Sequence, residues 1–135
     1  MIVSLLILLC LFQGDASPAK WDCAKNFEPP DKNVIRLKAR EINERVVSCE
    51  TPRLRNGIDA KGAVLVEVLV NEIGEVVCVR AMSGHPIIRT AALEAAKKWK
   101  FKPLVVDGQP KYYSGFVYVY VSWDVDEMKK RCPKQ

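Results

Sequence analysis

The sequence predicts an α+β fold built from a β-hairpin, a helix and a third strand. Residues 63–70 and 75–82 are β-branched runs joined by the turn Asn-Glu-Ile-Gly, residues 86–99 carry apolar side chains at helical spacing, and residues 115–123 alternate again. Because the helix must carry the chain over the first strand of the hairpin, we expect the strand order 2-1-3.

The hairpin and the helix each have one apolar face. In the first strand, alternation places four valines on the same face: Val64, Val66, Val68 and Val70. Pro86 can start the helix, because the first helical residue needs no amide hydrogen. The apolar face of this helix consists of small side chains and one tryptophan: Ile88, Ala92, Ala95 and Trp99. Small side chains let the helix lie close to the sheet, while the lysines near its C-terminal end point into solvent.

The remaining segments flank this unit. Apolar residues recur at helical spacing from Asn33, which predicts a helix with a short strand in place of its last turn: Ile35, Ala39, Ile42 and Val46. The stretch Val-Asp-Gly-Gln-Pro at 106–110 predicts a turn. In the third strand we expect Val117, Val119 and Val121 on one face and Phe116, Tyr118 and Tyr120 on the other. Residues 124–135 are charged, and we expect them to be loosely held except at Cys132.

The start of the chain predicts export. Residues 2–12 form a continuous apolar run that is too short to span a bilayer, and small residues follow it. This pattern predicts a signal peptide over residues 1–16, cleaved after Ala16 or Ala19. Lipid attachment at Cys10 is disfavoured because small residues do not precede that cysteine. We therefore expect a periplasmic or secreted protein rather than a membrane-anchored one.

Cleavage would leave an even number of cysteines: Cys23, Cys49, Cys78 and Cys132. In an exported chain such a set predicts disulfides, with three pairings open. The order along the chain favours Cys49–Cys78, which would fasten the segment before the hairpin to the sheet. Cys23 and Cys132 would then join the N-terminal arm to the tail. No C-x-x-C motif is present, so we predict no metal site.

No residue pattern predicts catalysis. His85 is the only histidine, and a catalytic role would need a nucleophile or acid held by a defined partner. Its position just before Pro86 favours a role at the start of the helix. Asp124 and Asp126 lie in the charged tail, and no glycine-rich phosphate loop is present. We therefore predict no enzyme activity, no cofactor and no small-molecule substrate.

The net charge of +5 mildly favours binding to nucleic acid, anionic lipid or acidic cell-wall polymer. Trp99 and Phe101, beside several lysines, are candidate stacking platforms for nucleic acid or glycan. Helical phase turns Trp99 inward, however, and export argues against nucleic acid. The sequence therefore favours core positions for both rings.

Five stretches together resemble the TonB C-terminal domain family: G-A-V-L-V-E-V-L-V-N-E-I-G-E-V-V (62–77), S-G-H-P (83–86), A-A-L-E-A-A-K-K-W-K-F-K-P (91–103), D-G-Q-P (107–110) and the final V-x-V-x-V strand. The resemblance covers roughly residues 46–123, preceded by an arm and helix at 17–45. It implies a three-stranded antiparallel sheet with helices packed on one face. Energy-coupling members carry a membrane helix and a long proline-rich spacer before this domain, whereas here the preceding apolar segment is short.

The resemblance also implies a binding site. The family docks its receptor peptide by adding a strand at the sheet edge, which implies contacts at one strand of this chain: Val117, Tyr118, Val119, Tyr120 and Val121. Homodimerisation through the same edge, or coverage by the tail, would compete with this use. We expect an exported interaction module that binds an envelope protein, such as a peptide segment of an outer-membrane receptor, and that is linked to transport across the envelope. The alternative is a disulfide-stapled exported protein that binds cell-wall polymer or another exported partner without a transport role.

Overall fold

A computed structural model describes residues 21–133 of the chain. The elements along these residues are β1 (Ile35–Arg36), α1 (Ala39–Asn43), β2 (Val46–Ser48), β3 (Gly62–Val70), β4 (Val76–Ala81), α2 (Pro86–Ala96), β5 (Lys100–Phe101), β6 (Leu104–Val106), β7 (Gln109–Lys111), β8 (Tyr113–Val121) and α3 (Val125–Lys130). The fold is α+β, as predicted. The expected signal peptide at 1–16 lies outside the described residues, and no helix within them is long and apolar enough to cross a membrane.

Within the described residues, the main sheet has four strands in the order β1-β8-β3-β4. Its antiparallel part, β8-β3-β4, has the predicted 2-1-3 order, but the expectation of three strands is wrong. The additional strand β1 pairs in parallel with the start of β8, where the amides of Ile35 and Leu37 donate to the carbonyls of Tyr112 and Ser114 (3.0 and 2.8 Å). These bonds hold Ile35 extended, so the helix predicted from Asn33 begins only at Ala39.

One face of the sheet forms the core together with α1 and α2. The four valines of β3 that were expected to share a face are all buried there, as are Val117, Val119 and Val121 of β8. Helix α1 approaches closely because β8 carries Gly115 at the contact. A β-carbon at that position would lie 2.6 Å from Cδ1 of Ile42.

Helix α2 starts and ends where its sequence dictates. His85 is its N-cap residue, with extended backbone angles and Nδ1 accepting a hydrogen bond from the amide of Ile87 (3.2 Å). Pro86 occupies the first helical turn, as predicted. Trp99 lies just beyond the helix end, is buried, and donates from Nε1 to the carbonyl of Glu50 (3.1 Å).

The opposite face of the sheet, called the back face here, is partly covered by the N-terminal arm. Phe27 of the arm lies under the guanidinium of Arg80, 4.6 Å from the ring centroid, and Arg80 also forms an ion pair with the largely buried Glu67. A disulfide between Cys23 and Cys78 fastens the arm to this face.

The predicted disulfide pairing is wrong. All four cysteines are paired, but as Cys23–Cys78 and Cys49–Cys132. Cys78 stands opposite Leu69 on the back face of the sheet, whereas Cys49 packs against the core on the other side. Because the sheet lies between them, Cys49 and Cys78 cannot approach each other.

The tail is more ordered than its charge suggested. Instead of a loosely held segment, residues 125–130 form α3, and Asp124 caps it by accepting hydrogen bonds from the amides of Asp126 and Glu127. The predicted turn at 106–110 is the tip of the β6–β7 hairpin. Its two central residues, Asp107 and Gly108, both have positive φ (52° and 74°), as this tight turn requires.

Candidate functional site

The outer side of β8, called the β8 edge here, carries backbone groups without a strand partner beyond Ser114. Successive residues of a strand direct their N–H and C=O to opposite sides. Since the carbonyl of Ser114 accepts from Leu37 on the outer side, the groups of Phe116, Tyr118 and Tyr120 point outward as well. Among residues 21–133, these groups have no hydrogen-bond partner.

The aromatic side chains on the back face of β8 are at least partly accessible. Tyr118 is 65% exposed and Phe116 40% exposed, which is high for large aromatic rings. Of the five site residues expected from the sequence, Val117, Val119 and Val121 are buried in the core, and Tyr118 and Tyr120 lie on the accessible face. Phe116 was not included, although it has the same alternation as the two tyrosines and could have been found from it.

The tail closes the C-terminal part of the β8 edge. Glu127 of α3 accepts a hydrogen bond from the hydroxyl of Tyr120 (3.1 Å), and the guanidinium of Arg131 lies 4.2 Å from the centroid of the same ring. A cavity of about 40 Å³ remains between residues 118–120, residues 49–52 and the tail. Its lining includes Val119 from the core face and Tyr118 from the back face, which places it at the edge of the strand. Such a cavity has room for a few waters but not for a peptide.

A wider groove begins at the other end of the β8 edge. It has a volume of about 470 Å³ and runs over the back face beside Phe116, bounded by the arm. Two ion pairs line it, Arg36 with Glu28 and Arg80 with Glu67. An extended chain beside Phe116 would therefore have space for side chains that contact both charged and aromatic groups.

Beyond Ser114, where β1 no longer pairs with β8, the two outer strands of the main sheet are β8 and β4, and they differ in their protection against pairing. The outer strand β4 contains a β-bulge opposite Leu69 and Val70 and carries the charged Arg80, and both features discourage strand addition. Strand β8 pairs with β3 without any shift in register and carries no charged residue or proline. Of the two edges, the β8 edge is therefore the less protected against pairing with another strand.

The other candidates from the sequence have structural roles. His85 caps α2 through its side chain, as its position favoured, and Asp124 caps α3. Trp99 and Phe101 are both buried, so they are core residues and not stacking platforms. No group of three or more potential metal ligands occurs within residues 21–133.

Comparison with known families gives one match. The family model described as the Gram-negative bacterial TonB protein C-terminal matches residues 52–121, just over half of the chain. The chain belongs to this family. Domains of the family are periplasmic, non-enzymatic interaction modules that bind envelope proteins. No curated protein sequence matches the chain at a significant level.

The matched region contains strands β3 to β8 and helix α2. The arm, β1, α1 and β2 precede it, and α3 follows it. The elements outside the TonB C-terminal match therefore include both segments that border the β8 edge: β1 at its start and α3 at its end.

Proposed function

We propose that this protein is an exported, non-enzymatic TonB C-terminal module that binds an extended peptide of an envelope protein by strand addition at the β8 edge, in support of transport across the envelope. The observation that carries the proposal is the row of outward backbone groups at Phe116, Tyr118 and Tyr120, which has no hydrogen-bond partner in the described chain. Backbone pairing would supply affinity, and the exposed rings would select side chains of the partner.

The proposal is tested by proline substitution at an outward-facing amide. Tyr118→Pro removes one such amide, whereas the amide of Val119 points toward β3, and a proline there would break the internal ladder. Tyr118→Ala is the matched control for loss of the side chain. Val79→Pro is the control for proline at an outward position of β4, the opposite edge.

The probe is a fluorescein-labelled peptide selected from a displayed random library on the wild-type protein. We expect Tyr118→Pro to weaken its binding by at least about tenfold, through loss of a backbone hydrogen bond and a steric clash, and Val79→Pro to leave it unchanged. Equal affinity of folded Tyr118→Pro and wild type would place binding elsewhere.

The biological partner is then sought with a photo-crosslinking amino acid in place of Tyr118. A crosslink to an outer-membrane protein from a Gram-negative envelope fraction, competed by the selected peptide, supports the transport role. Retention on purified peptidoglycan without such a crosslink would instead favour a protein that binds cell-wall polymer.

A further inference from the structure

The disulfide between Cys49 and Cys132 lies beside the closed part of the β8 edge. Both cysteines line the same cavity as residues 118–120. Neither belongs to the region that matches the family, residues 52–121. The bridge therefore joins two segments that flank the domain, and it does so where the proposed binding edge is blocked.

Few contacts besides this bridge hold α3 in place. A helix of six residues is not stable without tertiary contacts. Its contacts with the rest of the fold include the buried side chain of Met128, the two contacts with Tyr120 from Glu127 and Arg131, and a long hydrogen bond that Ser122 donates to Glu127 (3.4 Å). Because Glu127 and Arg131 are themselves partly exposed, their polar contacts are weak restraints.

We propose that the Cys49–Cys132 disulfide is a redox-controlled latch that keeps α3 over the β8 edge and that its reduction opens the edge to a longer peptide strand. The inference rests on the proposed binding at this edge and adds its regulation. With the latch closed, the outward groups of Phe116 are clear of the cavity, and a peptide reaches those of Tyr118 and Tyr120 only by displacing α3. With it open, the peptide pairs with Tyr118 and Tyr120 without that cost.

The chemistry of opening requires a dithiol reductant. Its first thiolate attacks one sulfur of the bridge and forms a mixed disulfide, and its second thiolate displaces the protein sulfur. The bridge gains two electrons and two protons and becomes two thiols, while the reductant becomes a disulfide. A thiolate can reach either sulfur of Cys49–Cys132, since both cysteines are partly exposed. In the other bridge Cys23 is also partly exposed but Cys78 is only 2% exposed, so attack is confined to one sulfur, and we expect Cys49–Cys132 to open first.

The second disulfide provides a matched control. Cys23–Cys78 fastens the arm to β4, at the edge of the sheet opposite β8. A variant with Cys49→Ser and Cys132→Ser removes the latch. A variant with Cys23→Ser and Cys78→Ser removes a bridge of similar kind that does not line the cavity beside α3, and it serves as the control for the exchange of α3.

Hydrogen–deuterium exchange reports on the latch without any peptide. In the latch variant we expect the amides of residues 125–131 to exchange about tenfold faster or more, with little change in the control variant. The dissociation constant of the selected peptide should also fall by about tenfold in the latch variant. In this variant the open state is already populated, so peptide binding does not have to supply the free energy that displaces α3. If the latch variant fails to fold, stepwise reduction of the wild type by dithiothreitol, with alkylation and peptide mapping, gives the order of opening.

The outcomes separate the two proposals. Unchanged protection of α3 in the latch variant, or opening of Cys23–Cys78 before Cys49–Cys132, overturns the latch whether or not the edge binds peptide. Suppose that α3 is released and peptide affinity is unchanged in the latch variant, while Tyr118→Pro still weakens binding as expected. This result overturns the latch and leaves the binding edge intact. If Tyr118→Pro has no effect on the selected peptide, the binding proposal fails, and with it the regulation built on it.

Discussion

Tyr113 gives the most direct test of the core that supports the β8 edge. Its side chain is fully buried, its hydroxyl donates to the carbonyl of Lys102 (2.7 Å), and its ring meets Phe101 edge-on, with 6.5 Å between centroids. Tyr113→Phe removes the hydroxyl and keeps the ring. We expect a loss of about 1 kcal/mol in the free energy of unfolding at neutral pH, the net contribution of one buried hydrogen bond.

The same substitution changes how stability depends on pH. Burial raises the pKa of Tyr113 from its ordinary value of 10.0 to about 12, against the opposing effect of the nearby Arg45 guanidinium. Because the folded pKa lies above the unfolded one, the stability linked to the neutral hydroxyl is fully present below pH 10 and is lost as the pH rises toward 12. Between pH 7 and pH 11 the free energy of unfolding of the wild type should therefore fall by about 1.4 kcal/mol more than that of Tyr113→Phe.

The assay is urea unfolding of both proteins from pH 7 to pH 11, followed by circular dichroism with the disulfides intact. Other groups that titrate in this range do so in both proteins, so their effects cancel in the difference. The difference should be constant up to about pH 9 and then shrink or reverse. A difference that stays constant up to pH 11 would show that the hydroxyl of Tyr113 is not shielded from water, and would refute the reasoning.

Three further predictions concern the helix cap, the close contact of α1 and the export signal. His85→Ala should lower the free energy of unfolding by about 1 kcal/mol in urea unfolding, while His85→Asn, which can still cap the helix, should keep most of it. Gly115→Ala should cost about 1–3 kcal/mol because its β-carbon would meet Ile42, and adding Ile42→Val should recover part of the loss; a neutral Gly115→Ala would contradict the close packing. Mass spectrometry of the mature protein should give an N-terminus near Ser17 or Lys20, and an intact initiator methionine in a membrane pellet would exclude cleavage.

Most of the fold could be predicted from the sequence because apolar residues recur at regular spacing. The hairpin, α2 and β8 each direct a regular apolar face to the core, so burial and spacing agree there. Strand β1 was missed because Ile35 fits a helical stripe as well as it fits a strand. Only its hydrogen bonds with a segment far along the chain decide between the two, and the sequence does not display them.

The candidate site was predicted only in part. Alternation separated the buried valines of β8 from Tyr118 and Tyr120, and the resemblance to the TonB C-terminal family pointed to the edge. The pairing of the cysteines could not be predicted from the sequence, because it depends on which face of the sheet each sulfur occupies. Helix α3 was not predicted because residues 124–135 are mostly charged. Met128 is the buried residue of this helix, and one apolar residue does not give the helical spacing that would predict it.

The place of β8 in the chain has a consequence for how the protein is made. It lies inside the main sheet, between β1 and β3, but it is the last strand of that sheet to be synthesised. Cys23, Cys49 and Cys78 are therefore all present in the growing chain before the sheet that separates Cys49 from Cys78 can assemble. The native partner of Cys49 is the last cysteine made. Correct connectivity thus depends on the timing of oxidation, because an oxidant acting on the unfinished chain would find only Cys23 and Cys78 as partners for Cys49, and Cys49 pairs with neither of them in the completed fold.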